Sequence, residues 1–364
     1  MSTTRPVRSL GRSAGLLGGM TLVSRVLGFV RDILIASIFG TSAAAEAFVV
    51  SFKLPNLLRD LVGEGAMNAA IVPVLTETRL AQGEREFWRL VWTLALWILA
   101  VLAVIAAAGS LGAEWVVRIV APGFSEDPEK FRQTVMLTRI VFPFVFLVGV
   151  SAYLMGVLHT MRIFGPSALS PIILNISIIV FMVQFAPRWG AEAVAWGILT
   201  GGVVSVAVQL AFFLRTGVVW VRVRIFHEGV KKILSLLGPR FWGSAVYQTS
   251  VFVDTILASF FWIVGDGGQS ALYYSSRLFQ LPLAIFGVSM AQAVLPELSA
   301  HASGKDPEAF RKSLRFALRH VIFLAVPAAA GLAVLSRPMV ELLFKRGQSA
   351  DFQMPHEDKV QNHV

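Results

Sequence analysis

Cysteine is absent from the 364-residue chain, which excludes disulfides, thiolate catalysis and Cys-ligated metals. Charge is scarce as well. Asp, Glu, Lys and Arg make up 15% of the residues, too few to solvate the outside of a soluble domain of this length. The six His are scattered without metal-ligand spacing, so no metal and no cofactor is expected. There is no serine elbow, no His–carboxylate pair at a useful spacing and no phosphate-binding loop. Gly15, Gly18 and Gly19 cluster, but they lack the spacing of a nucleotide fingerprint and no strand precedes them. The chain is therefore not expected to be an enzyme.

What the chain does have is apolar residues in long blocks: 55% of it is hydrophobic and its mean hydropathy is +0.69. The net charge of +10 would suit nucleic acid. The Lys and Arg, however, sit mostly in short segments between apolar blocks, as in a membrane protein that uses them for orientation. Nucleic acid is therefore not an expected partner. Arg5, Arg8 and Arg12 before an apolar stretch imitate a signal peptide. Arg25, Arg31 and Asp32 interrupt that stretch and no convincing cleavage site closes it, so it reads as a retained first span.

A helix that crosses the hydrocarbon needs roughly 20 mostly apolar residues. On that criterion spans are expected over 14–39, 46–75, 88–111, 134–158, 164–186, 191–214, 236–263, 270–299 and 316–336. Met339–Phe344 would begin another. The fold class is thus an all-α polytopic membrane protein of about nine transmembrane helices. Loop charge then sets the orientation. Segments carrying Arg79, Arg85 and Arg89, then Arg162, then Arg215, Arg222, Arg224, Lys231 and Lys232 alternate with cation-poor ones. The cation-poor segments are Thr41–Ala45, Glu114–Gln133, Ala186–Ala191 and Gly265–Gln269. In Glu114–Gln133, Arg118, Lys130 and Arg132 are offset by acidic neighbours. This alternation obeys the positive-inside rule and puts the N-terminus in the cytoplasm.

Two spans share a plan. Phe52-Lys53-Leu54-Pro55 leads to Pro73-Val74-Leu75, and Phe279-Gln280-Leu281-Pro282 leads to Pro296-Glu297-Leu298. Either prolines merely kink both helices, or a parallel six-span repeat relates them, as in transporters whose two bundles rock about a central site.

Ionisable side chains within spans are costly, at about 2.5–3.5 kcal/mol each on insertion scales, and usually face a partner or a cavity. Span one carries Arg25, Arg31 and Asp32; span two carries Glu46, Lys53, Arg59, Asp60 and Glu64; Asp254 and Arg277 follow in spans seven and eight. These charges either pair and hold spans together, or they line a cavity. Arg25, Arg31, Arg59 and Arg277 exceed what pairing requires. Guanidinium groups grip phosphate in bidentate fashion, so the excess points to a phosphate-bearing anionic substrate. An anion exchanger or a lipid head-group site would look similar.

The string Ser24-Arg25-Val26-Leu27-Gly28-Phe29-Val30-Arg31-Asp32 resembles the first-span signature of the MurJ/MviN family. These are the lipid II flippases of the multidrug/oligosaccharidyl-lipid/polysaccharide exporter superfamily. The resemblance continues through Phe52–Arg59, Glu64-Gly65-Ala66, Ala121-Pro122-Gly123-Phe124, Asn175-Ile176-Ser177 and Tyr273-Tyr274, and covers residues 10–347. It implies a bacterial inner-membrane transporter of two six-span lobes and two further spans. Such a protein flips undecaprenyl-pyrophosphate-linked disaccharide-peptide (lipid II) by alternating access, without a covalent step.

By position, the resemblance assigns Arg25, Arg31, Arg59 and Arg277 to the pyrophosphate, and Ser24, Glu46, Glu64 and Ser270 to cavity or gate. Asp32 and Asp254 are left as charge partners or ion ligands, and coupling would be to membrane potential or a monovalent ion. Membrane lipids complete the expected partners. Glu46 and Ser276 stand where the family often has Asp, so Arg277 needs another partner, for which Asp254 is a candidate. The expected organisation is an N-terminal six-helix lobe over 1–217, a cytoplasmic linker over 218–235, a partial C-terminal lobe over 236–347 and an off-family tail over 348–364, as if the chain were C-terminally truncated. A related exporter of a drug or another polyprenyl lipid, and a truncated membrane protein that does not transport, remain alternatives.

Overall fold

A computed structural model describes residues 7–63, 66–304 and 306–344, and all regular structure among them is helical. Five helices open the chain: α1 (Val7–Phe39), α2 (Ala43–Gly63), α3 (Ala66–Gln82), α4 (Glu84–Leu111) and α5 (Ala113–Val120). A 3₁₀ turn (Pro122–Glu126) leads to α6 (Pro128–Val141), α7 (Phe144–Thr160), α8 (Gly165–Trp189) and α9 (Ala191–Leu214). Beyond a non-helical strap lie α10 (Glu228–Leu257), α11 (Phe261–Val264), α12 (Gly268–Pro282), a π-helical turn (Leu283–Val288), α13 (Ser289–Ser303) and α14 (Pro307–Phe344).

Among the described residues, five stretches are long and apolar enough to cross a membrane: Glu84–Leu111, Pro128–Thr160, Gly165–Trp189, Ala191–Leu214 and Pro307–Ser336. The other expected spans fall on α1, on α2 with α3, on α10, and on α12 with α13; these are shorter, more charged or less apolar. The segment expected to be a linker over 218–235 is only partly unstructured, because α10 already begins at Glu228. His227 caps that start, its Nδ1 accepting from the Gly229 N–H at 3.0 Å.

Local chemistry explains several boundaries. Asp127 caps α6 by accepting from the Glu129 and Lys130 N–H groups, with Pro128 at the first helical position, where its missing N–H costs nothing. Gly190 joins α8 to α9 at φ 55°, a conformation that L side chains resist. The two helices then run against each other closely. A Cβ on Gly201 would lie 3.0 Å from the Leu174 Cα, and Ser177 Oγ donates across to the Gly197 carbonyl at 2.8 Å.

Among the described residues, two large buried clusters form most of the interior, beside two small ones around α5. One joins α1, α2, α6, α8 and α9 to Tyr274 of α12; the other joins α3, α4 and α7 to the first turns of α10. Outside them, Leu96, Trp97, Val101 and Val104 of α4 and Val183 of α8 are exposed. Such surfaces suit a hydrocarbon solvent, in which helices already satisfy their own backbone hydrogen bonds.

Segments expected on one side of the membrane meet in space. Thr41, Gly123, Lys130 and Gln269 come from three cation-poor segments. They lie at one end, linked through Gly267 beside Thr41, Glu46 and Ser259. At another end the cation-rich segments meet: Lys232 pairs with Glu77 at 2.6 Å, and Glu86 lies 3.8 Å from Arg224 and 3.3 Å from His227.

Candidate functional site

Asp32 of α1 is the hub of a buried polar cluster. Arg31, its neighbour, curls back so that Nε and Nη2 donate to Asp32 Oδ1 at 3.0 and 2.7 Å. Arg31 Nη1 donates to Asn175 Oδ1 of α8 at 2.9 Å, and Asn175 Nδ2 donates to the Ser24 carbonyl at 3.1 Å. From α12, the Tyr273 hydroxyl donates to Asp32 Oδ1 at 3.0 Å, and Arg277 Nε lies 3.2 Å from Asp32 Oδ2. Tyr273 and Arg277 are four apart, hence neighbours on one helix face. Arg277 Nη2 donates to the Tyr273 hydroxyl at 3.2 Å, with its guanidinium 4.8 Å over the ring.

Two guanidinium groups therefore share one carboxylate. Lys53 of α2 lies within electrostatic reach of Arg277 and of Asp254. Among the described residues, two guanidinium groups meet the one carboxylate of Asp32. Buried charge of this kind is costly unless paired, and an anion that took Asp32's place would keep both guanidinium groups paired.

The remaining expected site residues divide. Arg59 of α2 lines a cavity of about 300 Å³ between α7, α8 and α9. Arg25 and Asp32 lie on nearly one helix face, yet Arg25 is exposed where Asp32 is covered. Ser24 takes part through its carbonyl. Asp254 is exposed, and the carboxylate that meets Arg277 is Asp32 of α1. Glu64 lies outside the described residues, as do Arg5, Gly65 and everything from Lys345 onward. The side chains of Arg8, Arg12 and Asp60 are likewise outside them.

Glu46 and Ser270 sit together, away from the arginines. Glu46 is only 3% exposed; its Oε2 meets Lys130 Nζ of α6 at 2.6 Å and its Oε1 accepts from the Gln269 N–H, in the first turn of α12, at 3.1 Å. The next residue, Ser270, is fully buried, and its hydroxyl has no hydrogen-bond partner among the described residues. Nearby, the Tyr274 hydroxyl donates to the Gly40 carbonyl at 2.9 Å. Gly123 N–H donates to Ser259 Oγ at 3.1 Å, and a Cβ on Gly123 would lie 2.3 Å from the Ser259 carbonyl oxygen. Backbone touches backbone there, and this end is closed.

Sequence reasoning does not find Tyr273, Asn175 or Lys130 as site residues. Tyr273 and Asn175 stand in segments that carry the family resemblance, a signal without a role attached. Lys130 is expected to be offset by acidic neighbours in its own loop; instead it reaches a glutamate 84 positions away.

The family model for the lipid II flippase MurJ matches residues 35–357. The lipid II flippase MurJ of Burkholderia cenocepacia is 35% identical over 347 residues, covering 93% of this chain and 67% of that protein. The probable lipid II flippase MurJ of Haemophilus influenzae is 36% identical over 346 residues, covering 90% and 67%. A corresponding Buchnera aphidicola protein is 34% identical over 340 residues, covering 92% and 66%. The chain thus spans about two thirds of the length of the curated relatives it matches. Among solved structures, a lipid II flippase MurJ in an inward closed conformation aligns with a TM-score of 0.77 and 25% identity, covering 91% of this chain and 68% of that one. An inward-facing multidrug resistance MATE transporter of the MOP superfamily aligns at 0.68 with 15% identity, a likeness of fold.

Proposed function

The chain belongs to the lipid II flippase MurJ family, and on that premise we propose that it binds a polyprenyl-pyrophosphate-linked sugar of the lipid II type and takes part in its alternating-access transfer across the bacterial inner membrane. The observation that carries this reading is the convergence of Arg31 and Arg277 on Asp32. Those arginines stand 246 positions apart in the sequence, on α1 and α12, and they are two of the four that the cost of burying charge singles out. In this reading Asp32 is the resident counter-ion of an anion site. The pyrophosphate displaces it and takes both guanidinium groups in a bidentate grip, while Arg25 and Arg59 extend the positive surface along α1 and α2.

The two halves of the chain are bridged at the site by Asp32 with Tyr273 and Arg277, and at the closed end by Glu46 with Gln269 and Tyr274 with Gly40. Releasing Arg277 to a substrate loosens the first bridge, so binding and opening are linked through one residue. Glu46, Ser270 and Lys130 act as the gate. No bond is made or broken in such a cycle, so the site needs no acid, base or nucleophile.

The membrane arrangement proposed with it is nine crossings with a cytoplasmic N-terminus, a six-helix lobe over 1–217, a linker over 218–235 and a second lobe from 236. Alternation of loop cations supports that orientation. Glu64 belongs to the proposed cavity on the strength of the resemblance.

Binding to the purified chain in lipid nanodiscs tests the reading. Lipid II is expected to bind, to be displaced by undecaprenyl pyrophosphate, and to be unaffected by neutral undecaprenol. Displacement by undecaprenol to the same extent would mean that the lipid tail, not the pyrophosphate, is recognised. Binding that survives loss of all four arginines would instead favour a related exporter of another lipid or a drug.

A further inference from the structure

The 3₁₀ turn Pro122–Glu126 belongs to the first half of the chain, between α5 and α6, yet it meets the second half directly. Gly123 N–H donates to Ser259 Oγ, just beyond α10, at 3.1 Å. A Cβ on Gly123 would lie 2.3 Å from the Ser259 carbonyl oxygen and 2.8 Å from the Phe260 Cα. Gly123 does not have a positive φ, so what glycine supplies there is space. Both obstacles are backbone, which cannot swing aside as the tip of a side chain does. Phe124 is buried with Val50 of α2 and Val120 of α5, and Phe252 of α10 packs against that cluster. The Phe124 ring also lies 4.9 Å from Lys130 Nζ. Lys130 pairs with Glu46, whose other oxygen accepts from the Gln269 N–H. One short turn thus touches the second half and supports the ion pair at the closed end.

We propose that this turn is a latch of the outer gate, and that Gly123 is the positioning residue that lets the two halves close on it. The proposal rests on the alternating-access reading, in which the cation-poor end opens and closes again. The contact suits a reversible closure. At Gly123 it consists of one neutral hydrogen bond, which contributes little net stability, and of bare backbone against backbone, so no side chain has to be disentangled when the halves part. Phe124 keeps Val50 and Val120 as neighbours on its own half when Phe252 leaves, so the turn has a reason to hold its shape in both states. A methyl group on Gly123 meets its obstacles only when the halves are together. It therefore destabilises the closed state and leaves the open one alone.

A single buried thiol reports the opening, since the chain has no cysteine of its own. Ser270→Cys replaces a fully buried hydroxyl without a hydrogen-bond partner among the described residues by a thiol, which tolerates an apolar site. In spheroplasts, a membrane-impermeant maleimide should label Ser270→Cys slowly. Adding Gly123→Ala should raise that rate roughly five- to a hundredfold, the range that overpacking spans when it acts on the closed state alone. Ser259→Ala loses the hydrogen bond without the clash. It should raise the rate by about two- to fivefold, and it carries the test if Gly123→Ala does not fold. Ala195→Cys, buried within the first half, separates a latch from a loosened fold, and Gly123→Ala should leave its labelling unchanged. A parallel rise at both thiols would overturn the proposal. Measurable labelling of Ser270→Cys that neither substitution alters would overturn it and leave alternating access standing, because the end would open without the latch. No labelling of Ser270→Cys in any background would sink both.

Discussion

Asp32 is the residue at which the stability of the fold and the proposed anion site meet. It is buried between Arg31, Arg277 and Tyr273, so Asp32→Asn leaves two guanidinium groups facing each other. Breaking a buried pair costs about 3–5 kcal/mol, with the lower figure apt here because Arg277 is partly exposed to screening. Asp32→Asn should therefore lower the unfolding temperature of the ligand-free chain, and undecaprenyl pyrophosphate should restore more of it than in the parent. A variant that is as stable as the parent and gains nothing from the ligand would show that Asp32 is no counter-ion. Gly267 makes a different point. It sits at φ 78°, and a Cβ there would lie 2.7 Å from the Thr41 Cβ. Gly267→Ala should cost at least about 1–2 kcal/mol in thermal or denaturant unfolding, whereas the same change at the open, exposed Gly18 should cost nothing measurable. The arginines are legible in the sequence because charge in an apolar run is conspicuous. Their shared partner is not, since nothing local tells α1 that α12 will lie beside it.

Among the helices, existence and order were far easier to read than internal breaks. Apolar runs and the cation-rich segments between them mark α4, α8 and α9 plainly, because lipid rewards a continuous apolar surface. The π-helical turn after Pro282 is not marked. A proline announces a lost hydrogen bond without saying whether the helix kinks, ends or widens. The start of α10 at Glu228 is set by the cap from His227, a residue outside the usual capping set, so the expected linker ran eight residues into the helix. The strap before it is tied to α4 through Trp92 Nε1 to the Val219 carbonyl and Trp97 Nε1 to the Ile225 carbonyl, at 3.0 and 2.9 Å. Helix α9 depends on Gly201 for its approach to α8. Gly201→Leu should separate the pair and destabilise the protein by about 1–3 kcal/mol, the usual cost of overpacking. An unchanged melting temperature would show that the two helices can yield.

The whole molecule has two faces that the loop charges distinguish, and its lack of cysteine makes them directly testable. Single cysteines introduced as Arg188→Cys and Asp266→Cys, on the cation-poor side, should react with a membrane-impermeant maleimide applied from the periplasm. Gln82→Cys and Arg215→Cys should react only after the membrane is opened. The reverse pattern would invert the proposed topology. At this scale the sequence was informative about the membrane and about family, because both are written in long strings. For the closed end the resemblance names Glu46 and Ser270 but not the partners of Glu46, because Lys130 and Gln269 arrive from distant segments.

The proposed anion site is best tested by titrating undecaprenyl pyrophosphate against the parent chain, Arg31→Ala, Arg277→Ala and, as an off-site control, Arg188→Ala in nanodiscs. Charge-assisted bonds contribute about 1.5–3 kcal/mol each, so each of the first two substitutions should weaken binding by roughly ten- to a hundredfold and Arg188→Ala should not. Equal affinity in all four proteins would contradict the assignment of Arg31 and Arg277 to the pyrophosphate.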